Sequence, residues 1–226
     1  MTINVVERID DAVQIRHVLV SVSDKRGLDT FVPELVDRNP DLRIFSTGGT
    51  FSHLEKILGQ EAGRHLTQVS DYTGQPETQG GLVKTLDFRI YLGLLTETYN
   101  DAHKADLQRT RSVPIDMVVV NLYPFRETIA KGGVTVEQAR GNIDIGGPCM
   151  IRASAKNFIR VASVVDPGDY PMILSELNAN GGGMPLALRF RLAQKAFAHT
   201  AEYDRAIADY LGRAAIDKVR SCYRFA

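Results

Sequence analysis

Tryptophan is absent from this chain of 226 residues, and cysteine occurs only as Cys149 and Cys222. Two thiols cannot build a disulfide framework or a four-cysteine zinc site. They read as reduced thiols in a reducing compartment. The five histidines, His17, His53, His65, His103 and His199, show no metal-ligand spacing, so neither a structural nor a catalytic metal is expected. An excess of either charge is lacking too: 27 basic residues face 27 acidic ones. A zero balance argues against gripping nucleic acid by bulk charge, while leaving room for a local basic pocket. No apolar run approaches the roughly 20 residues that cross a bilayer. The first 16 residues carry Glu7, Asp10 and Asp11 and lack the basic start and continuous apolar core of a secretory signal. A soluble, cytoplasmic protein with no membrane partner is expected. Internal repeats and low-complexity tracts are also missing.

The composition that remains is that of an ordinary globular domain, long enough to bury a core without staples. Short β-branched runs alternate with helical patterns. His17–Val22, Leu42–Ser46, Asp116–Leu122 and Arg160–Val165 read as strands. Apolar strands separated by helices predict a parallel sheet covered on both faces. Several helix starts are legible. Thr135-Val-Glu-Gln138 fits a capping box, Asn100 caps a helix through Arg109, and Asp166-Pro167 places a cap before a proline. The longest helix is expected over about 185–211, with Leu186, Phe190, Ala193, Phe197 and Ala201 on its apolar side. Pro33 is expected to kink or shorten the helix after Gly27. Gly181-Gly-Gly183 reads as a loop before the closing helix. Residues 1–15 read as an N-terminal extension, 16–211 as one domain, and 212–226 as a C-terminal tail.

Five segments could carry chemistry. Ser21-Val-Ser-Asp-Lys-Arg-Gly27 and Ser46-Thr-Gly-Gly-Thr50 each follow a strand. Glycines let a backbone approach an anion, helix-start amides point at it, and hydroxyls and Lys25 add donors. Each loop alone also fits an ordinary turn with a helix cap. Lys84-Thr85 follows Gly80-Gly81 and can grip a phosphate or polarise a carbonyl; a solvated loop lysine looks the same. Tyr123, in Asn121-Leu-Tyr-Pro-Phe125, can donate into a cleft or sit in a core with its hydroxyl satisfied. Asp144, in Asn142-Ile-Asp-Ile-Gly-Gly-Pro148, and Lys156 could share proton transfer, or cap a helix and lie on the surface.

Taken in order, these motifs and Lys195-Ala-Phe-Ala-His-Thr-Ala201 resemble the inosine monophosphate cyclohydrolase family. That domain usually forms the N-terminal part of the bifunctional purine-synthesis enzyme that also transfers a formyl group. The likeness runs from about Arg16 to Leu211. It implies an α/β fold, a methylglyoxal-synthase-like three-layer α/β/α sandwich around a mainly parallel sheet, and a homodimer. It implies closure of 5-formamidoimidazole-4-carboxamide ribonucleotide to inosine monophosphate with loss of water, and no cofactor. By resemblance, Lys84, Tyr123, Asp144 and Lys156 belong to the reacting end. Ser23, Asp24, Lys25, Ser46, Thr47, Gly48, Gly49, Thr85, Asn121, Ile145 and Gly146 would bind the rest of the ribonucleotide. Two other readings use the same loops: a non-catalytic nucleotide-binding module, and a sugar-phosphate lyase of the methylglyoxal synthase type. The lyase would need a histidine in a glycine-rich loop, which the sequence does not offer.

The chain departs from the family in one stretch. Where the family usually reads Arg-Val-Lys-Thr-Leu-His-Pro, this chain has Leu82-Val-Lys-Thr-Leu-Asp-Phe88, and a usual His-Gly-Gly becomes Tyr91-Leu-Gly93. A positive charge is lost and a carboxylate gained, so Arg89 is expected to compensate or the substrate preference to have moved. A chain of this length has no room for a formyltransferase domain, so formyl transfer is expected from a separate protein.

Overall fold

The computed structural model describes residues 5–76 and 84–225. The sequence expectations for Gly80, Gly81, Leu82 and Val83 lie outside the described residues. The elements run β1 (Ala12–Gln14), β2 (His17–Val22), α1 (Leu28–Arg38), β3 (Arg43–Ser46), α2 (Gly48–Leu58), α3 (Ala62–His65), β4 (Leu66–Gln68) and α4 (Val69–Thr73). Then come α5 (Phe88–Leu95), α6 (Asp101–Thr110), β5 (Met117–Asn121), α7 (Phe125–Ala130), α8 (Val136–Gly141), α9 (Gly146–Lys156) and β6 (Ala162–Val164). The chain closes with α10 (Tyr170–Ala179), β7 (Gly183–Pro185), α11 (Leu186–Arg213) and α12 (Ile216–Arg220).

Five strands form one sheet in the order β4-β3-β2-β5-β6, every pair parallel. Successive side chains on a strand point to opposite faces, and here both faces are buried. Val18, Val20 and Val22 of β2 join Met117 and Val119 of β5 in a core under α1, α2 and α10. Leu19, Val118 and Val120 point the other way, into a core with Ile90 and Leu94 of α5, Ile151 and Ala155 of α9, and Ala193 and Ala196 of α11. Burial on both sides explains why these strands read as unbroken apolar runs. The result is the expected three-layer α/β/α sandwich.

The expected helix starts form. Asn100 accepts from the His103 N–H at 3.2 Å, Thr135 and Gln138 make the reciprocal capping box, and Asp166 accepts from the Gly168 N–H at 2.8 Å. Three expectations need correction. Pro33 lies inside α1 without ending it, because that helix buries Leu28, Phe31, Val32, Leu35 and Val36. Burial worth about 1.5–3 kcal/mol per large side chain offsets the roughly 3 kcal/mol cost of an interior proline. Gly183 is not loop: it opens β7, which pairs antiparallel with β1. The buried face of α11 is also displaced from the expected one. Leu188, Arg189, Leu192, Ala193, Ala196, Thr200, Tyr203 and Ala206 face inward, whereas Phe190 and Phe197 are exposed. Arg189 is fully buried because its guanidinium donates to the carbonyl oxygens of Asp10, Asp11, Phe158, Ile159 and Met184. An arginine with that many partners occupies a core position that a hydrophobic pattern assigns to solvent.

Candidate functional site

Parallel sheets collect ligands beyond the carboxyl ends of their strands. Beyond β2, β3 and β5 lies a cavity of about 420 Å³. One wall is built by the turns after β2 and β3. Asn121, the last residue of β5, holds the first turn: its Oδ1 accepts from the Ser23 and Asp24 N–H groups at 2.7 and 2.8 Å, and its Nδ2 donates to the Asp24 carbonyl at 2.8 Å. Thr50 holds the second. Its buried hydroxyl donates to the Val22 carbonyl at 3.0 Å and accepts from the Val22 N–H at 3.1 Å. The start of α2 is thereby fixed beside the end of β2. Ser21, Ser23, Lys25, Thr47, Gly48 and Gly49 line this wall, the two glycines opening the first turn of α2. Gly48 has φ +48°, and a Cβ there would stand 3.1 Å from Lys84 Nζ. Glycine therefore serves the backbone conformation and the approach of the lysine together.

The opposite wall carries Thr85, Tyr123, Asp144, Ile145 and Gly146, while the Lys84 ammonium stands against Gly48 of the first wall. Asp144 lies just before α9. Its Oδ1 accepts from the Gly147 N–H at 2.9 Å. A Cβ on Gly147 would sit 2.6 Å from Asp144 Oδ2 and 2.5 Å from Leu122 Cδ2, so only glycine lets the carboxylate fold back over the helix start. Burial pushes the Asp144 carboxyl above the usual carboxylate range, opposed by the backbone N–H groups of Gly147 and Tyr123. Gly146 is similarly tight, since a Cβ there would be 2.6 Å from Thr85 Oγ1. A cradle of amides, hydroxyls, Lys25 and Lys84 thus faces a poorly hydrated carboxylate, with Tyr123 lining the same cavity. Such a site can bind an anionic ligand at one end and move protons at the other.

The MGS-like domain model matches residues 27–149, more than half of the chain. The chain belongs to the MGS-like family. In this MGS-like protein residues 154–225 match a second model, the AICARFT/IMPCHase bienzyme. The crystal structure of ForH is 31% identical, with a TM-score of 0.75, over 87% of this chain and 97% of ForH. The bifunctional purine biosynthesis protein PurH of Synechococcus sp. (strain CC9605) is 48% identical over 200 residues, 88% of this chain and 37% of PurH. PurH of Ruminiclostridium cellulolyticum is 45% identical over 197 residues, 87% of this chain and 37% of that protein. The chain therefore spans little more than a third of the length of these curated relatives, and it corresponds to the IMP cyclohydrolase part of PurH.

Three residues expected at the site of this MGS-like chain stand apart from it. Ser46 is fully buried, and its hydroxyl donates to the Val20 carbonyl at 2.7 Å, so it fastens β3 to β2. The Asp24 carboxylate accepts from Arg26 Nε and Nη2 at 2.8 and 2.6 Å, which holds its carboxyl below the usual range. It opens on a neighbouring cavity instead. Lys156 is exposed at the far end of α9, some ten residues of helix, roughly 15 Å, from Gly146. The geometry of one chain leaves its ammonium outside the reacting group. Arg89 does not replace the missing arginine either: its Nη1 donates to the Tyr72 carbonyl at 2.6 Å. Nor does Asp87 bring a carboxylate to the ligand, since it is buried as the cap of α5 and accepts from the Arg89 N–H. Sequence reasoning missed Ser21, Thr50, Gly147 and Met150 in the lining. Ser21 and Thr50 bound the two phosphate-type motifs and were legible there; Met150 carried no chemical signal.

Proposed function

We propose that the chain closes 5-formamidoimidazole-4-carboxamide ribonucleotide to inosine monophosphate, the last step of de novo purine synthesis. The observation that carries this reading is the pairing within one cavity of an anion cradle and a desolvated carboxylate, Asp144. The phosphate would rest on Ser23, Lys25, Thr47 and the first amides of α2, where the helix N-terminus favours an anion. The carboxamide nitrogen then attacks the formyl carbon of the same molecule. The tether supplies proximity, so the walls have only to select the productive rotamer. Asp144 accepts the proton lost by the attacking nitrogen, a task suited to a carboxyl whose proton affinity burial has raised. Lys84 and Tyr123 donate to the formyl oxygen as it gathers negative charge. The formyl oxygen takes up that first proton and becomes a hydroxyl. The former formamide nitrogen then gives up its own proton, the carbon–hydroxyl bond breaks with release of water, and the ring C=N double bond forms in its place. Lys156 has no part in this division of labour. No redox centre or nucleotide cofactor enters the balance.

The reading includes a cytoplasmic homodimer acting on a substrate whose formyl group a formyltransferase supplies. Among the described residues no helix is long and apolar enough to cross a membrane. The test mixes the purified protein with the formylated ribonucleotide and follows inosine monophosphate by absorbance and chromatography, with Asp144→Asn as control. Formation well above the uncatalysed rate, lost in the control, is expected. A folded wild-type protein that binds inosine monophosphate yet turns nothing over would overturn the reading in favour of a binding module.

A further inference from the structure

Tyr203 belongs to α11, just beyond the Lys195–Ala201 motif and 59 residues from Asp144 in the chain, yet it reaches the reacting end. Its hydroxyl accepts from the Asp144 N–H at 2.9 Å and donates to the Asn142 carbonyl at 3.3 Å. Its ring is buried and packs edge-on against Phe125, with centroids 6.2 Å apart. Phe125 also packs against Tyr210, two helical turns along α11, at 5.9 Å. The Phe125 N–H in turn donates to the Tyr123 carbonyl at 2.8 Å. One side chain therefore grips the backbone on which Asp144 stands and presses on the turn that carries Tyr123. Both loops are otherwise irregular, and loops of that kind hold geometry only when a rigid element braces them.

We propose that Tyr203 is a positioning residue for the ring closure, fixing the Asp144 carboxylate and the Tyr123 phenol at their working separation. It lines the adjacent cavity rather than the one that holds Asp144, so it does not touch substrate there. The inference rests on the cyclohydrolase reading and assigns that site a support which no sequence motif marks. The titratable groups that share the cavity with Asp144 are Lys25, Lys84 and Tyr123, and Tyr203 adds its hydroxyl from α11. Asp144 is thus held by backbone donors and by the brace, with the loop's rigidity keeping water from its carboxylate.

The test is Tyr203→Phe, which deletes the hydroxyl and keeps the ring. Turnover is expected to fall on the order of tenfold with KM little changed, as for the loss of one well-made hydrogen bond that matters only in the transition state. A looser loop hydrates the carboxylate, so the acid limb of the kcat profile is expected at lower pH than in the wild type. Unchanged kcat with an unmoved limb, or a rise in KM alone, overturns the proposal. Inosine monophosphate binding, expected to be unchanged, serves as the control for folding. If the wild type itself shows no turnover, the cyclohydrolase reading fails, and the brace is judged separately by carbon NMR titration of Asp144, its signal located by loss in Asp144→Asn. A lower midpoint in Tyr203→Phe supports the brace, and an identical midpoint refutes it. Amide exchange on the unsubstituted protein adds a check that needs no variant: the Asp144 N–H is expected to exchange far more slowly than an open loop amide, and open-loop exchange would also refute the brace.

Discussion

Two carboxylates, one buried and one half-buried, stand beyond opposite ends of strand β5, and they are treated differently. Asp116 precedes the strand. It accepts from the Arg16 and His17 N–H groups at 2.9 and 3.0 Å and from Arg160 Nη1 at 3.1 Å. Arg160 is itself buried and also donates to the Thr96 carbonyl at 3.0 Å. Burial pushes the Asp116 carboxyl upward, and the guanidinium and two amides oppose it. Asp144, beyond the other end, has backbone donors and, among the described residues, no cation paired with it in this way. Buried charge is tolerated where it is paired and hydrogen-bonded. The first carboxylate is compensated and holds strand ends together. The second is raised in the same direction but opens on the ligand cavity, where its proton can be exchanged with a substrate. The contrast separates a group serving the fold from a group serving chemistry.

Substituting each in turn tests that separation most strongly. Asp144→Asn is expected to lower turnover by about 10²–10⁴, the range for losing a general base. It is also expected to stabilise. Burial raises the folded-state pKa of Asp144 above its unfolded value, so the stability it contributes is present at low pH and lost as pH rises through the folded value. At neutral pH the wild type carries that cost and the asparagine variant does not. A gain of about 1 kcal/mol would raise Tm by roughly 2–4 °C in a chain of this length. Calorimetry at pH 7 checks it, and a fall in Tm would break the comparison. Asp116→Ala should do the reverse. Leaving Arg160 buried without its partner costs about 3–5 kcal/mol, read in urea melts, while kcat of the folded protein stays within twofold of wild type.

The same contrast explains what the sequence displays and what it conceals. Strands such as His17–Val22 and Met117–Asn121 were legible because burial on both faces imposes continuous apolar runs. Glycine- and hydroxyl-rich turns were legible because the backbone demands at Gly48 and Gly147 admit few alternatives. Concealed features depend on partners distant in the chain. Arg189 looks like a surface residue until the carbonyls of Asp10 and Asp11 reach it. The apolar side of α11 was misplaced because Phe190 and Phe197 outweigh small buried residues such as Ala193 and Ala196 in any periodicity. Ser46 and Asp24 carry the residue types of an anion site, but their side chains are taken by Val20 and Arg26. Residue type is readable in a sequence, whereas whether a polar group is already satisfied is a property of the fold.

Smaller effects sharpen the comparison at the anion wall. Lys25 lines the cavity, and its charge is assigned to ground-state binding of the phosphate. Lys25→Ala is expected to raise KM roughly 10-fold or more, the scale of one charge-assisted hydrogen bond, with kcat nearly unchanged. A loss confined to kcat would move Lys25 to the reacting end and erase the division between the two walls.

The smallest effect concerns a third carboxylate, next to that lysine. Asp24 is compensated, like Asp116, but in solvent rather than in the core: Arg26 binds it through two nitrogens at the mouth of the neighbouring cavity. Exposed pairs of this kind contribute little to stability, so Asp24→Asn should leave Tm unchanged. The Asn121 clamp on the turn uses the Asp24 backbone and survives the substitution. Removing a negative charge beside Lys25 should favour an anionic ligand slightly, lowering KM by less than about twofold at low salt, a difference that screening removes near 1 M. Kinetics at two ionic strengths check this. A tenfold loss of affinity would instead mean that the carboxylate leaves Arg26 to bind substrate, and a group satisfied in the free protein would then have a functional role, contrary to the rule that divides Asp116 from Asp144.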